Sequence, residues 1–371
     1  MKYNEENNQI HYLLTPEWCS LYETWNLVFI TGNMYNPDIL YPKLLIPQVI
    51  GADSDKYMAN RGNALWASIN FYLFRKARGK QDLAMPGSRE LATRWGEINI
   101  KYAREYVKKA NGEIMTKTIV MIHGMFGGGW CWDNYKGFFE KKKFQCHTPT
   151  LRFHDVDPKD KPFSDLGTTS LLDYAQDLED YIGELDERPI LIGHSMGGLL
   201  AQILGARGLA MGIILLTPGP PRGIMPLKFS AIKSCLNGFT KWGFWRKPVR
   251  LSFRSTVYAM LHLLPKVDQK KTYARLVYES GQAGKETGFW LFDSKKVSKV
   301  DESKVTCPVL VVSGAKDRVA PPSMVQKIAN KYKAVSTYKK FQNHAHWIMN
   351  EPGWEEVAEY IDDWIKQTNI K

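Results

Sequence analysis

Cysteine is scarce in this chain of 371 residues: there are five, Cys19, Cys131, Cys146, Cys235 and Cys307, and no two form a C-x-x-C pair. An odd, scattered set argues against a disulfide framework and for free thiols in a reducing compartment. No apolar run approaches the ~20 residues that cross a bilayer. The opening MKYNEENNQIHYLL carries acids and amides where a secretory signal has basic residues and then an apolar run. These absences lead to the expectation of a soluble, cytoplasmic chain. Carboxylate or cysteine patterns of the kind that hold a metal are also missing around the histidines, so no metal and no other cofactor is expected. No recognisable nucleic-acid module is present, which makes nucleic acid a poor candidate partner.

What the chain does have is an ordinary core-forming composition, 44% hydrophobic and 24% charged, which excludes a disordered chain. It also has a net charge of +12, and that charge is not spread evenly. Residues 218–300 hold 16 Lys and Arg against 4 Asp and Glu, a surplus equal to that of the whole chain. The same segment carries Phe229, Phe239, Trp242, Phe244, Trp245, Phe253 and Tyr258. A solvated basic face explains the charge without any ligand; attraction to anionic lipid headgroups or acidic substrates is the functional alternative.

Periodicity divides the chain further. Residues 1–115 show no obvious alternating strand. Glu17 to Ile30 and Tyr57 to Lys76 are rich in aromatic residues and Leu at loosely helical spacing. Leu91, Trp95, Ile98, Tyr102 and Tyr106 line one helical face before Asn111-Gly112. A helical N-terminal extension is therefore expected over 1–115. From Lys117 the pattern becomes strand, loop, helix, repeated. Strands are expected at Thr118 to Ile122, Gln145 to Pro149, Ile190 to Ile192, Gly212 to Thr217, Pro308 to Ser313 and Ala334 to Phe341. Helices are expected at about Trp132 to Lys141, Leu171 to Leu185 and Trp354 to Gln367. This alternation implies an α/β fold with a mainly parallel sheet covered by helices on both faces. It occupies 116–217 and 301–371, with 218–300 inserted between two strands, where it would sit over the carboxyl ends of the sheet as a lid or cap. A small helical domain packed on itself has the same composition.

Ligands on such sheets bind beyond the carboxyl ends of the strands. Three chemical groups are expected there. Gly193-His194-Ser195-Met196-Gly197 follows a short apolar strand and precedes helix formers, so Ser195 is expected at the tip of a sharp strand-to-helix turn. Gly193 and Gly197 are the small residues such a turn needs. Asp317 follows the strand ending at Ser313. His346, with His344 as an alternative, follows the strand ending at Phe341. A serine hydroxyl becomes an effective nucleophile when a base takes its proton and a carboxylate orients the base. The order Ser195, Asp317, His346 is the one expected on this kind of sheet. The loop His123-Gly124-Met125 follows the first of these strands, and His123 and His194 read as loop-positioning residues.

The motifs HGMFGGGW, GHSMGG, SGAKDRVAP and HWIMNEPGW, in that order, make residues 116–371 resemble an α/β-hydrolase, and the carboxylesterase and lysophospholipase-like branch in particular. In lidded relatives glutamate commonly follows the catalytic histidine by five residues. Glu351 stands in that relation to His346 and favours it, although Ala345 replaces the family's usual glycine. The resemblance assigns the oxyanion donors to the backbone N–H groups of Met125 and Met196. Serine at the nucleophile position disfavours the dehalogenase and epoxide hydrolase branches. The function implied is hydrolysis of carboxylic esters with an apolar acyl group through an acyl-enzyme, with a small-molecule ester or lipid as substrate and transient contact with anionic lipid through the basic segment. An acyl-thioesterase, a cofactor-free haloperoxidase-like enzyme and a non-catalytic binding protein on the same fold are the alternatives.

Overall fold

In a computed structural model the described residues are 2–4, 9–12, 30–33, 117–225, 242–368 and 370. The chain divides into two compact units, Met1–Met115 and Thr116–Lys371.

In the first unit the described residues form a three-stranded antiparallel sheet, Lys2–Asn4, Gln9–Tyr12 and Ile30–Asn33, with Tyr3 opposite Ile10 and Ile10 opposite Gly32. No strand is legible here in the sequence. Segments of three or four residues are too short for a period-two pattern to emerge, and Gly32 weakens the third. Ile30, expected to end a helix, begins that strand. The rest of the helix expected from Glu17, and those at 57–76 and 91–106, fall outside the described residues.

The second unit is built on six parallel strands. They are β1 (Thr118–Ile122), β2 (Gln145–His147), β3 (Ile190–His194), β4 (Gly212–Leu216), β5 (Val309–Gly314) and β6 (Ser336–Phe341). Their order across the sheet is β6-β5-β4-β3-β1-β2. Every residue of β1, β3, β4 and β5 is buried, whereas β2 and β6 are more open and polar, with Lys339 and Lys340 in β6. That is the distribution expected when the central strands are covered on both faces and the edges must be kept from pairing with other chains.

Successive residues of a strand point to opposite faces, and the two halves of the core follow this rule. Val120, Ile122, Leu191, Ile213, Leu215, Val309 and Val311 join one cluster. Its other wall comes from α2 (Leu171–Gly183), α3 (Met196–Ala206) and α4 (Pro322–Lys331). Ile119, Met121, Ile190, Ile192, Ile214, Leu216, Leu310 and Val312 join the other, against α1 (Asp133–Lys141) and α5 (Trp354–Gln367). In α2 the buried Leu171, Tyr174, Ala175, Leu178 and Ile182 recur at steps of three, one, three and four, the stripe a core-facing helix requires. Ser170 caps that helix in a reciprocal box with Asp173.

Between β4 and β5 the described part of the insertion holds a two-stranded antiparallel ribbon, Pro248–Val249 with Glu279–Ser280. It also holds the helices Lys266–Arg275 and Gly281–Gly288, and Phe253–Thr256 continuing as a π turn over Val257–Leu261. Several of its aromatic residues pack on one another, as in Phe244 on Trp245 and Phe253 on Tyr273. Phe229 and Phe239 lie outside the described residues. The insertion reaches the carboxyl end of the sheet, where the Val277 N–H donates to the Phe126 carbonyl in the loop after β1. Among the described residues no helix is long and apolar enough to cross a membrane.

The tightest point of the unit is where β3 turns into α3. A Cβ on Gly193 would run into the backbone of Gly197, and one on Gly197 would run into the carbonyl oxygens of Ile122 and His123. These obstacles are backbone atoms, so nothing nearby can yield cheaply. Gly197→Ala should destabilise the unit by ~3 kcal/mol, the upper range for overpacking a filled site, as read from the urea unfolding midpoint. A change below ~0.5 kcal/mol would mean that the turn relaxes at little cost.

Candidate active site

The turn places Ser195 at φ 52°, ψ −118°, a left-handed backbone that a non-glycine residue adopts only when its surroundings impose it. The imposition is visible: the Ser195 N–H donates to the Leu216 carbonyl at the end of β4, while its own carbonyl accepts from Gly198 and Gly219. The side chain is thereby directed away from both strand and helix.

His346 meets it. Its Nε2 lies 3.0 Å from Ser195 Oγ and its Nδ1 lies 2.9 Å from Asp317 Oδ2. The carboxylate partner implies that Nδ1 carries the proton and Nε2 accepts from the serine hydroxyl, the tautomer a general base needs. Asp317 is in turn held by the Val319 and Ala320 N–H groups, which donate to Oδ1 at 2.7 and 2.8 Å. Each of the three groups stands just past a strand: Ser195 after β3, Asp317 after β5, and His346 after β6.

The alternative base, His344, points elsewhere. It lies against Glu351, 3.3 Å from Nδ1 to Oε2, and edge-on to the Phe341 ring. Glu351 is fully buried and accepts from the Ala345 and Trp347 N–H groups at 2.7 and 3.1 Å, one on either side of His346. The glutamate five residues after the histidine therefore grips the loop that carries it. The His346 carbonyl is gripped as well, by His194 Nε2–H at 2.8 Å and by the Thr217 hydroxyl at 3.1 Å.

The loop after β1 comes close to the serine. A Cβ on Gly124 would stand 2.9 Å from Ser195 Cβ, so only glycine lets the loop, and the Met125 amide that follows, approach. Met196 is the first residue of α3 and its N–H has no acceptor within the helix. His123 organises this loop: its Nε2 accepts from the Leu151 N–H at 3.0 Å, so its Nδ1–H donates to the Gly124 carbonyl at 2.8 Å. Both ring nitrogens are committed to the neutral form. Burial and the neighbouring His154 bring its pKa down to about 3.

Sequence reasoning did not find His154, Thr217, Tyr174 or Glu279, which surround the three central residues or the β1 loop. One signal was available for Glu279: it is one of only four acids in a segment with 16 basic residues. The thiols near the sheet are poor nucleophiles, since burial pushes Cys131 and Cys146 up to about 12 and Cys307 to about 11. Among the described residues no cluster of three or more His, Cys, Asp or Glu could hold a metal ion.

The buried histidines govern the response to acid. His123 is neutral at pH 7, and burial, with His346 beside it, holds His194 well below its ordinary 6.5. As the pH falls through 6.5 the unfolded chain takes up a proton at each, while the folded chain does not. The stability that depends on them is therefore complete above 6.5 and lost on acidification, by up to about 1.4 kcal/mol per pH unit for each histidine. His154 is raised, so between pH 7 and about 5.5 it offsets part of that loss, while Glu279, lowered, adds to the loss only as the pH nears its ordinary 4.5. Urea midpoints should fall from pH 7 to pH 5, and His123→Asn should make the fall shallower by about one proton's share. Equal slopes for the two proteins would contradict a neutral His123.

The alpha/beta hydrolase family model matches residues 119–360. Methylesterase 7 of Arabidopsis thaliana is 33% identical over 97 residues, 24% of this chain and 33% of the relative. Norfluorocurarine synthase 2 of Strychnos nux-vomica is 28% identical over 118 residues, 30% of this chain and 43% of the relative. The matched stretch thus spans less than half the length of either relative. The crystal structure of a pyrethroid hydrolase from Sphingobium faniae superposes with a TM-score of 0.54 at 17% identity, covering 68% of this chain and 98% of that one, a likeness of fold. With nearly two thirds of its length inside the family model, the chain belongs to the alpha/beta hydrolase family.

Proposed function

We propose that this protein is a serine hydrolase that cleaves carboxylic esters with an apolar acyl group through an acyl-enzyme. The observation that carries the reading is the continuous relay from Ser195 Oγ to His346 Nε2 at 3.0 Å and from His346 Nδ1 to Asp317 at 2.9 Å, with the serine on a strained turn. The chain's similarity to a methylesterase and to a pyrethroid hydrolase points the same way.

Ser195 Oγ attacks the ester carbonyl carbon as its proton passes to His346 Nε2. Asp317 keeps the ring oriented and stabilises the imidazolium. The carbonyl oxygen becomes an oxyanion facing the Met125 and Met196 N–H groups, which need no reorganisation to receive it. When the tetrahedral intermediate collapses, His346 hands its proton to the leaving alkoxide, and the acyl group remains on Ser195. Water, deprotonated by His346, then attacks the acyl-enzyme; the acid departs and Ser195 recovers its proton. His123 and Gly124 hold the β1 loop, while Gly193 and Gly197 permit the turn.

In this reading the insertion is a lid, its aromatic residues facing an apolar acyl chain and its basic residues an anionic headgroup. Trp242 and Phe292 are 89% and 75% exposed, which suits contact with a lipid surface.

A fluorophosphonate probe should label the wild type and not Ser195→Ala. Asp317→Asn should lower kcat on p-nitrophenyl esters by ~10⁴ and His346→Ala by more. No labelling of the wild type, or undiminished labelling of Ser195→Ala, would leave a binding protein on a hydrolase fold; faster turnover of acyl-thioesters would make it a thioesterase. Turnover of anionic lipid esters should fall between ~0.05 and ~0.5 M salt more steeply than that of neutral esters, because the Debye length shrinks over that range. Equal salt dependence would remove the headgroup contact.

A further inference from the structure

Glu279 lies in the ribbon of the insertion and is fully buried. Its Oε2 accepts from the Phe126 N–H and from His154 Nε2–H, both at 3.2 Å. Its Oε1 accepts from the Tyr174 hydroxyl at 2.8 Å and from the Ser280 N–H at 2.7 Å. The other side of Phe126 is held by the same insertion, through the Val277 N–H donating to the Phe126 carbonyl at 2.9 Å. Phe126 sits at φ 66°, a left-handed backbone that is costly for a bulky residue and persists only when it is imposed.

Phe126 directly follows Met125. Fixing the Phe126 N–H fixes the peptide plane between the two residues and so limits the rotation of Met125; the Met125 N–H lies in the preceding plane, whose Gly124 carbonyl accepts from His123 Nδ1–H, and the two planes together restrict where it points. A buried carboxylate is tolerable only with a counter-charge and a full set of donors. His154 supplies the charge: its Nδ1–H donates to the Arg152 carbonyl at 2.9 Å and its Nε2–H to Glu279, so both nitrogens are donors and the ring is an imidazolium. Burial opposes the charge on each partner. Their mutual attraction and the surrounding hydrogen bonds outweigh it, leaving His154 raised and Glu279 lowered.

We propose that Glu279 is a positioning residue for the oxyanion loop: its carboxylate, balanced by His154, clamps Phe126 and thereby aims the Met125 N–H, so that the loop is complete only when the insertion is seated. The proposal rests on the ester-hydrolase reading and deepens it, because it makes a residue of the insertion part of the support for the reacting oxygen.

The test compares wild type, Glu279→Gln and Glu286→Gln on p-nitrophenyl butyrate, together with inhibition by butylboronic acid. In that inhibition Ser195 Oγ forms a bond to boron, its proton passes to His346, and a boron-bound oxygen of the tetrahedral anion occupies the oxyanion site. Glu286 is the other buried glutamate of the insertion; it accepts from the Leu171 N–H and the Ser170 hydroxyl at the start of α2 and does not touch the β1 loop. Glu279→Gln should lower kcat by about 10- to 100-fold with KM within about twofold, a loss somewhat smaller than removal of an oxyanion donor. Its boronate Ki should rise by the same factor as kcat falls. Glu286→Gln should lower the melting temperature and leave both constants unchanged. If Glu279→Gln does not fold, His154→Gln takes its place with the same expected split. A folded Glu279 variant with wild-type kcat and Ki overturns the proposal, as does a Glu286 variant that loses both constants in the same proportion. Absence of turnover and of fluorophosphonate labelling in the wild type removes the hydrolase reading itself, and this proposal with it.

Discussion

At the end of β3 the backbone of the strand comes into contact with the backbone of the helix that follows it, and most of the site's geometry depends on that closeness. Gly193 and Gly197 are the residues whose missing side chains permit it. The consequence is the left-handed Ser195, which costs about 1–3 kcal/mol in isolation. The cost is met by the fully buried strands and the α3 face around it, which hold the turn on both sides. A serine on a relaxed turn would lie along the helix; this one is held clear of it, at the carboxyl edge of the sheet.

The histidine reaches the serine because its loop has little freedom of its own. Glu351 takes the N–H groups on either side of His346, while His194 and Thr217 take its carbonyl. His194 belongs to the serine turn and Thr217 follows β4, so the loop after β6 is anchored to the two strand ends beside Ser195. Four buried hydrogen bonds, two of them to a carboxylate, make the imidazole position a property of the sheet rather than of a mobile loop. The Asp317 carboxylate, with two backbone donors on one oxygen and His346 on the other, completes the same logic.

The insertion is tied in by charge as well as by apolar packing. It is strongly basic, yet its buried acids are what connect it to the core: Glu286 to the start of α2, and Glu279 to His154, Tyr174 and the β1 loop. Buried carboxylates fix a single arrangement because every alternative leaves a charge unpaired. Basic side chains take part as well: Arg250 donates to the Pro158 carbonyl at 2.6 Å and Arg222 to the Asp293 carbonyl at 3.1 Å.

Much of this was legible in the chain itself. The central strands are short, continuous apolar runs bounded by turn residues, and segments of helical period lie between them, so sheet, helices and the strand ends bearing Ser195, Asp317 and His346 follow from local pattern. Ends differ by a residue or two, as at β3, which runs to His194 because ladder pairing with Leu216 continues past the apolar run. The strands near residues 2–33 were not legible, being too short to show a period. The preference for His346 over His344 rested on the spacing to Glu351; its cause, a carboxylate holding both flanking amides, exists only when the loop is folded. Glu279 lies 125 residues from His154 in sequence, and Thr217 lies 129 residues from His346. No local pattern marks such partners, since what selects them is a shared buried space in which each polar group must find its partner. Residue type and order therefore specified which groups could react, and only the packing of distant segments decided how they are aimed.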